Sequence, residues 1–286
     1  MDILGKRKIW YIISSILIGI GLVFLLINGL NLGIDFLGGT IMEFSVEENV
    51  GTEDVRAVLQ QIGIAEDATI QETDQDGLRG IMIRGQALDS DQILAVEQAI
   101  NDEFENVEML RTDMVGPTIG QELRINALLA MLVASIAIVA YISFRFEFRF
   151  AAVSIITLMH DVLITIGIFA MLGREVNTPF VAALLTIVGY SINDTIVIFD
   201  RIRENMKLMH KVPFIEQANT AVVDTLPRSI NTSITTLVAI LAIYFFGGAS
   251  LQTFMLALFI GMFSGTYSSV FIASPLLVTW QNRISK

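Results

Sequence analysis

An ionisable side chain inside an apolar run long enough to cross a bilayer is costly, and the cost marks it as a candidate for function. Two carboxylates meet that description. Asp194 lies in the run Gly189-Tyr190-Ser191-Ile192-Asn193-Asp194-Thr195, about 9 Å by helical rise from Asp200, and Asp161 follows His160 in the middle of another apolar run. Arg228 stands just after Pro227 at the edge of a third, where proline suits the first turn of a helix. The chemistry open to such groups is proton exchange: low dielectric disfavours an ionised carboxylate, a nearby guanidinium favours it, and moving one against the other switches proton affinity. A proton-carrying or coupling role is expected for Asp194, with Arg228 and Asp161 as its associates. Each also has a plainer reading. Asp194 and Asp161 can be structural carboxylates, Arg228 can snorkel to the interface, and His160 can be a packed, neutral neighbour.

Helical spacing sorts these residues into faces. Arg228, Asn231, Thr232 and Thr235 recur at i, i+3, i+4 and i+7, which predicts one polar stripe on an apolar rod. Ser154, Thr157, Asp161 and Thr165 line up on a second helix, and Tyr190 shares a face with Asp194 on a third. The three stripes are expected to face one another rather than lipid. Gly261-xxx-Gly265, with Ser264, Ser268 and Ser269 nearby, reads as a close helix contact. The alternation from Phe144 through Arg145, Phe146, Glu147, Phe148 and Arg149 to Phe150 reads as an interfacial hairpin.

The elements that must hold these residues follow from composition. Of 286 residues 53% are hydrophobic and 16% charged, and the mean hydropathy is +0.66. A span of hydrocarbon takes about 20 such residues. Six stretches qualify: 9–30, 125–144, 150–172, 180–199, 229–246 and 251–280. The first follows Lys6-Arg7-Lys8, is too long for a cleavable leader and lacks a small-x-small cleavage site, so it is expected to stay as an anchor. Lys and Arg accumulate on the cytoplasmic side. With the N-terminus inside, cytoplasmic segments hold 12 of the 18, from Lys6, Arg7 and Lys8 to Arg283 and Lys286, and the short outer loops hold only Arg174. The expectation is a multi-pass protein of the cytoplasmic membrane, both termini inside, with a cytoplasmic loop over 200–228.

The long segment between the first two spans is then outside. Residues 31–122 carry 20 acidic side chains against Arg56, Arg79, Arg84 and Arg111, for a charge of −16. Such a surface repels nucleic acid, and the basic clusters elsewhere flank membrane spans. Strands are expected at 40–46, 68–73, 79–84 and 107–115, and helices at 52–62, opened by Thr52, and at 91–104, with a turn at 74–77. That βαββαβ order predicts a ferredoxin-like domain serving as a docking or binding surface. The domain plan is therefore 1–30, 31–122 and 123–286.

Gly33-Ile34-Asp35-Phe36-Leu37-Gly38-Gly39-Thr40 resembles the Gly-x-Asp-Phe-x-Gly-Gly-Thr signature of the SecD/SecF translocase family, within the resistance-nodulation-division superfamily. His160-Asp161-Val162, the seventeen residues from Gly189 to Asn205 and the segment Arg228-Ser229-Ile230-Asn231-Thr232-Ser233 resemble the SecF branch. The motif residues Asp35, Gly38, Gly39, Gly189, Tyr190, Asn193, Asp200 and Arg201 carry the match. Length and topology agree with a member lacking a fused SecD. The resemblance implies half of a superfamily-type helical bundle with one extracytoplasmic domain. It also implies use of the proton motive force in late preprotein translocation and release, pairing with SecD, and association with the SecY channel and other Sec subunits. In the family the residues at the positions of Asp194 and Arg228 belong to the proton pathway.

A stand-alone exporter of small molecules or lipids is the alternative; such exporters usually double both the bundle and the outer domain. An intramembrane aspartyl protease is a third reading, yet its Tyr-Asp and Gly-x-Gly-Asp motifs are replaced here by His160-Asp161 and Asn193-Asp194. No Walker loop, nucleophile motif or metal-ligand cluster appears, so no cofactor, metal or enzymatic activity is expected.

Overall fold

The computed structural model describes residues 1–47, 50–65, 68–75 and 78–284. The expected turn at 74–77 and the basic Lys286 thus fall partly or wholly outside the described residues. Two compact units emerge, one of Met1–Asn31 with Leu129–Lys286 and one of Leu32–Leu128.

In the second unit a single helical turn, Ile34–Leu37, leads into strand β1 (Gly39–Ser45). Helix α2 (Thr52–Gln61), strands β2 (Thr69–Gln75) and β3 (Leu78–Gly85), helix α3 (Ser90–Glu103) and strand β4 (Glu108–Val115) follow. The sheet order is β2-β3-β1-β4, with every pairing antiparallel. Alternation places Met42 and Phe44 of β1 with Ile81 and Ile83 of β3 on one face, where Val55, Val58 and Leu59 of α2 and Val96 and Ile100 of α3 cover them. Asp89 caps α3, accepting from the Gln92 amide at 2.9 Å while its own amide donates to the Gln92 side chain. Thr52 does not cap α2. Gly51 precedes the helix instead, and its amide donates to Asp54 at 2.9 Å.

The Gly38-Gly39 pair has a steric reason. Gly38 has φ +75° and Gly39 φ +139°, a region closed to residues with a Cβ. A Cβ on Gly39 would stand 2.5 Å from the Gly85 carbonyl, and one on Gly38 would stand 3.1 Å from Pro117 Cα. The backbone turn and the close passage of β3 both require bare backbone here.

Among the described residues six helices are long and apolar enough to cross a membrane. They are α1 (Arg7–Asn28), α4 (Pro117–Arg145), α5 (Phe148–Leu172), α6 (Thr178–Leu208), α7 (Phe214–Phe246), and α8 (Ala249–Ser268), which continues through a π turn, Ser269–Ala273, into α9 (Ser274–Ile284). Among the described residues α1 meets α5 where Gly21 faces Gly167: a Cβ on Gly167 would lie 2.7 Å from Gly21 Cα. Within the hairpin Phe146 and Phe150 point into the core beside Phe199, whereas Phe144 and Phe148 point out, 95% and 78% exposed.

Two boundaries differ from expectation for the same reason. Helix α7 begins at Phe214, so Pro227 and Arg228 lie well inside it rather than in its first turn. The segment 200–228 is mostly the ends of α6 and α7, not a loop. A search for continuous apolar residues misses an amphipathic extension. Here Gln217, Ala218, Ala221, Val222 and Thr225 form a buried helical stripe over 217–225, and Gln217 donates to the Met209 and Val212 carbonyls to close the turn. The π turn was not expected either. Pro275, just after it, lacks an amide hydrogen and crowds the preceding turn, a setting that favours wider hydrogen bonding.

Candidate functional site

Helices α5, α6, α7 and α8 bury a layer of small polar side chains. On α5 the stripe expected from spacing is inward: Ser154, Thr157, Asp161 and Thr165 are all buried. Ser154, Thr157 and Thr165 return their hydroxyl hydrogens to carbonyls one turn back, those of Phe150, Val153 and Asp161. Asp161 is left as the acceptor: three hydroxyl donors converge on it, and a ring nitrogen of His160 stands beside them. Ser191 of α6 donates to Oδ2 at 2.6 Å, Ser268 of α8 to Oδ2 at 2.7 Å, Ser264 of α8 to Oδ1 at 2.8 Å, and His160 Nδ1 lies 2.9 Å from Oδ1. The hydroxyl distances approach the charge-assisted range.

Asp194 is built differently. It lies one turn beyond Tyr190 on α6, and the two meet Ser229 and Ser233, one turn apart on α7: Ser229 donates to Asp194 Oδ1 at 2.8 Å, and the Tyr190 hydroxyl donates to Ser233 at 3.2 Å. Asp194 Oδ2 is buried and accepts no hydrogen bond from the described residues. A carboxylate has acceptor capacity for about four bonds, so this oxygen is open to a proton. Ser233 shares a 2.6 Å hydrogen bond with Thr266, and Thr195 one of 2.8 Å with Ser269 at the start of the π turn. Close packing of α8 on α6 permits this layer: a Cβ on Gly265 would stand 3.0 Å from Ser191 Cβ, and one on Gly261 would strike Ile187.

The stripe expected on α7 faces the other way. Arg228, Asn231, Thr232 and Thr235 are exposed, and the polar face turned into the bundle is Thr225, Ser229 and Ser233. Neighbouring residues on a helix point about 100° apart, and Ser229 is the one that bonds Asp194, while the exposed Arg228 is within electrostatic reach of that carboxylate. No ion pair joins Arg228 to Asp194 among the described residues. The i, i+4 pairs Ser229/Ser233, Ser264/Ser268 and Ser191/Thr195 were the available signal for the true inner face, weak because serine is also common at plain helix contacts.

The remaining motif residues lie elsewhere. Asp35 falls in the single turn 34–37 beside Gly38 and Gly39; Gly189 precedes Tyr190, and Asn193 is exposed. Asp200 pairs with Arg145 of α4 at 3.1 Å and with Arg203 at 3.6 Å, and Arg201 reaches Glu204 and Asp224 of α7 at 2.8 Å each. Arg145 and Arg203 also sit over the Phe146 ring, 5.1 and 5.7 Å from its centroid. Each exposed pair contributes little alone, but together they tie the ends of α4, α6 and α7.

Comparison with known proteins is consistent in both sequence and structure. The family model described as "Protein export membrane protein SecD/SecF, C-terminal" matches residues 95–283, and the one described as "SecD/SecF GG Motif" matches residues 23–50. "Protein translocase subunit SecF" of Thermobaculum terrenum is 42% identical over 301 residues, covering 99% of this chain and 95% of its own. "Protein translocase subunit SecDF" of Thermus thermophilus is 43% identical over 259 residues, 90% of this chain but 35% of the relative. The crystal structure of the Thermus SecDF, described as a translocon-associated membrane protein, superimposes with a TM-score of 0.90 at 40% identity. That match covers 99% of this chain and 39% of the solved one.

Proposed function

The chain belongs to the SecD/SecF family of protein-export membrane proteins, and from that premise we propose that it is a SecF-type subunit of the Sec machinery that uses proton movement to assist late preprotein translocation and release. The observation that carries the coupling part is the asymmetry of Asp194: one oxygen is fixed by Ser229 and the other is buried with no donor among the described residues. Protonation there costs no existing hydrogen bond. A proton crossing the membrane supplies about 2.3 kcal/mol per 100 mV, enough to bias a two-state rearrangement of the helices. The outer domain, read as ferredoxin-like, is the part such a rearrangement would move.

Arg228 completes the pathway from a different direction than its spacing suggested. The polar stripe of Arg228, Asn231, Thr232 and Thr235 is exposed on this chain, and polar side chains within a span seek a protein neighbour rather than lipid. A SecD subunit packed on α7 provides that neighbour, in keeping with SecDF relatives in which both halves share one chain. A photo-crosslinking side chain at Thr232 is expected to capture SecD, and one at the buried Ser154 is not. Capture from both positions, or from Ser154 alone, contradicts this arrangement. Membership of the family supports association with SecY and with the translocating preprotein.

In this reading both termini lie in the cytoplasm and residues 31–122 outside. The chain has no cysteine, so single substitutions report cleanly. A cysteine replacing the exposed Asp102 is expected to react with an impermeant thiol reagent in intact cells, and one replacing the exposed Lys207 is expected to stay unlabelled until the membrane is permeabilised. The reverse pattern overturns the orientation.

A further inference from the structure

Asp161 and Asp194 sit in one polar layer of the same four helices, yet their surroundings are opposite. Asp161 is 1% exposed and meets four hydrogen-bonding groups from three helices: His160 of its own helix, Ser191 of α6, and Ser264 and Ser268 of α8. Ser268 has a second, longer acceptor, the Gly265 carbonyl at 3.1 Å, so its hydrogen belongs with the carboxylate at 2.7 Å. A carboxylic acid would have to turn one of its four acceptor positions into a donor and push a hydroxyl hydrogen away.

Among the described residues no lysine or arginine is a hydrogen-bond partner of Asp161. Of the titratable groups nearby, Tyr267 of α8 stacks on the His160 ring at 6.2 Å, and Tyr11 of α1 lines a groove with His160; their hydroxyls bond elsewhere, to the Trp10 carbonyl and to Thr279. His160 Nε2 is buried without a partner among the described residues. A neutral ring with its hydrogen on Nδ1 fits that setting, because a doubly protonated ring would bury an unmatched N–H.

We infer that Asp161 is a fixed anion and a positioning residue, not a proton carrier: its four-donor shell clamps α6 and α8 onto α5 and thereby sets Asp194, one turn from Ser191. This rests on the reading of Asp194 as the group that takes the proton. The donors come from elements distant in sequence, so one ionised side chain holds α5, α6 and α8 in register while Asp194 changes state one turn along α6, where that helix meets Ser229 of α7.

Infrared spectroscopy of the full chain purified with its partner subunit tests this, following the C=O stretch of a protonated carboxyl as pH is lowered. The wild type is expected to gain a band that Asp194→Asn removes. Asp161→Asn is expected to keep that band at comparable amplitude but at a shifted frequency, because Asp194 is repositioned, and to lower the Tm more than Asp194→Asn does. Should Asp161→Asn fail to fold, Ser264→Ala and Ser268→Ala take its place. Each withdraws one donor from Asp161, so each is expected to add a second acid-induced band that the wild type lacks. Loss of the wild-type band in Asp161→Asn, or no second band in either serine variant, overturns the fixed-anion role. Persistence of the band in Asp194→Asn together with a second band in the serine variants instead sinks the proton role of Asp194 and leaves the Asp161 clamp standing.

Discussion

Replacing Asp194 with Asn is expected to abolish the dependence of translocation on the proton gradient while leaving the chain folded and assembled. The amide oxygen can keep the hydrogen bond from Ser229, and the amide nitrogen replaces an oxygen that accepts nothing from the described residues, so no existing bond is lost. What disappears is the ability to change charge. Arg228→Ala is expected to give the same loss of coupling. Because Arg228 is exposed on this chain and not paired with Asp194, its removal should shift the stability of the isolated chain by no more than about 0.5 kcal/mol. The double substitution is expected to be no worse than either single one, since both interrupt one step. Preprotein translocation with and without an uncoupler, at matched protein abundance, checks all three. Normal gradient-dependent export by Asp194→Asn at wild-type abundance would return Asp194 to the status of a structural carboxylate.

The largest loss of stability is expected at the Gly-Gly turn. Gly39→Val must place a branched side chain at φ +139° with its Cβ 2.5 Å from the Gly85 carbonyl, so backbone strain and overpacking add. Together they cost about 2–6 kcal/mol, a sum of roughly 1–3 for each effect. Gly63→Ala is the matched control: Gly63 has φ +75° and nothing within 4 Å of an added Cβ, so only the strain remains, on the order of 1 kcal/mol. Limited proteolysis of the full chain, cutting within residues 32–116, reads out both. Equal and small sensitivity in the two variants contradicts the steric account.

Much of this protein was legible in its sequence because the forces involved are local. Six apolar stretches announced six spans, since a helix in hydrocarbon must be apolar over about 20 residues. Alternation and turn residues gave the βαββαβ order to within two residues at each element boundary. The inward stripe on α5 was also readable, because Ser154, Thr157, Asp161 and Thr165 are, with His160 and the terminal Arg149, the polar residues of an otherwise apolar helix.

On α7 that logic failed. Two polar stripes run along this helix, and spacing alone cannot say which one meets α6; the packing chose Thr225, Ser229 and Ser233 and turned Arg228 outward. The extension from Phe214 escaped for a related reason, since its apolar face is half-width and reads as polar when averaged along the chain. Above all, no property of Asp161 or Asp194 alone separates their roles. The difference lies in Ser191, Ser264 and Ser268 converging on one carboxylate while, among the described residues, only Ser229 reaches the other. Those donors are up to 107 residues away along the chain, and a hydrogen bond depends on where helix packing sets the atoms, a distance that residue spacing does not encode.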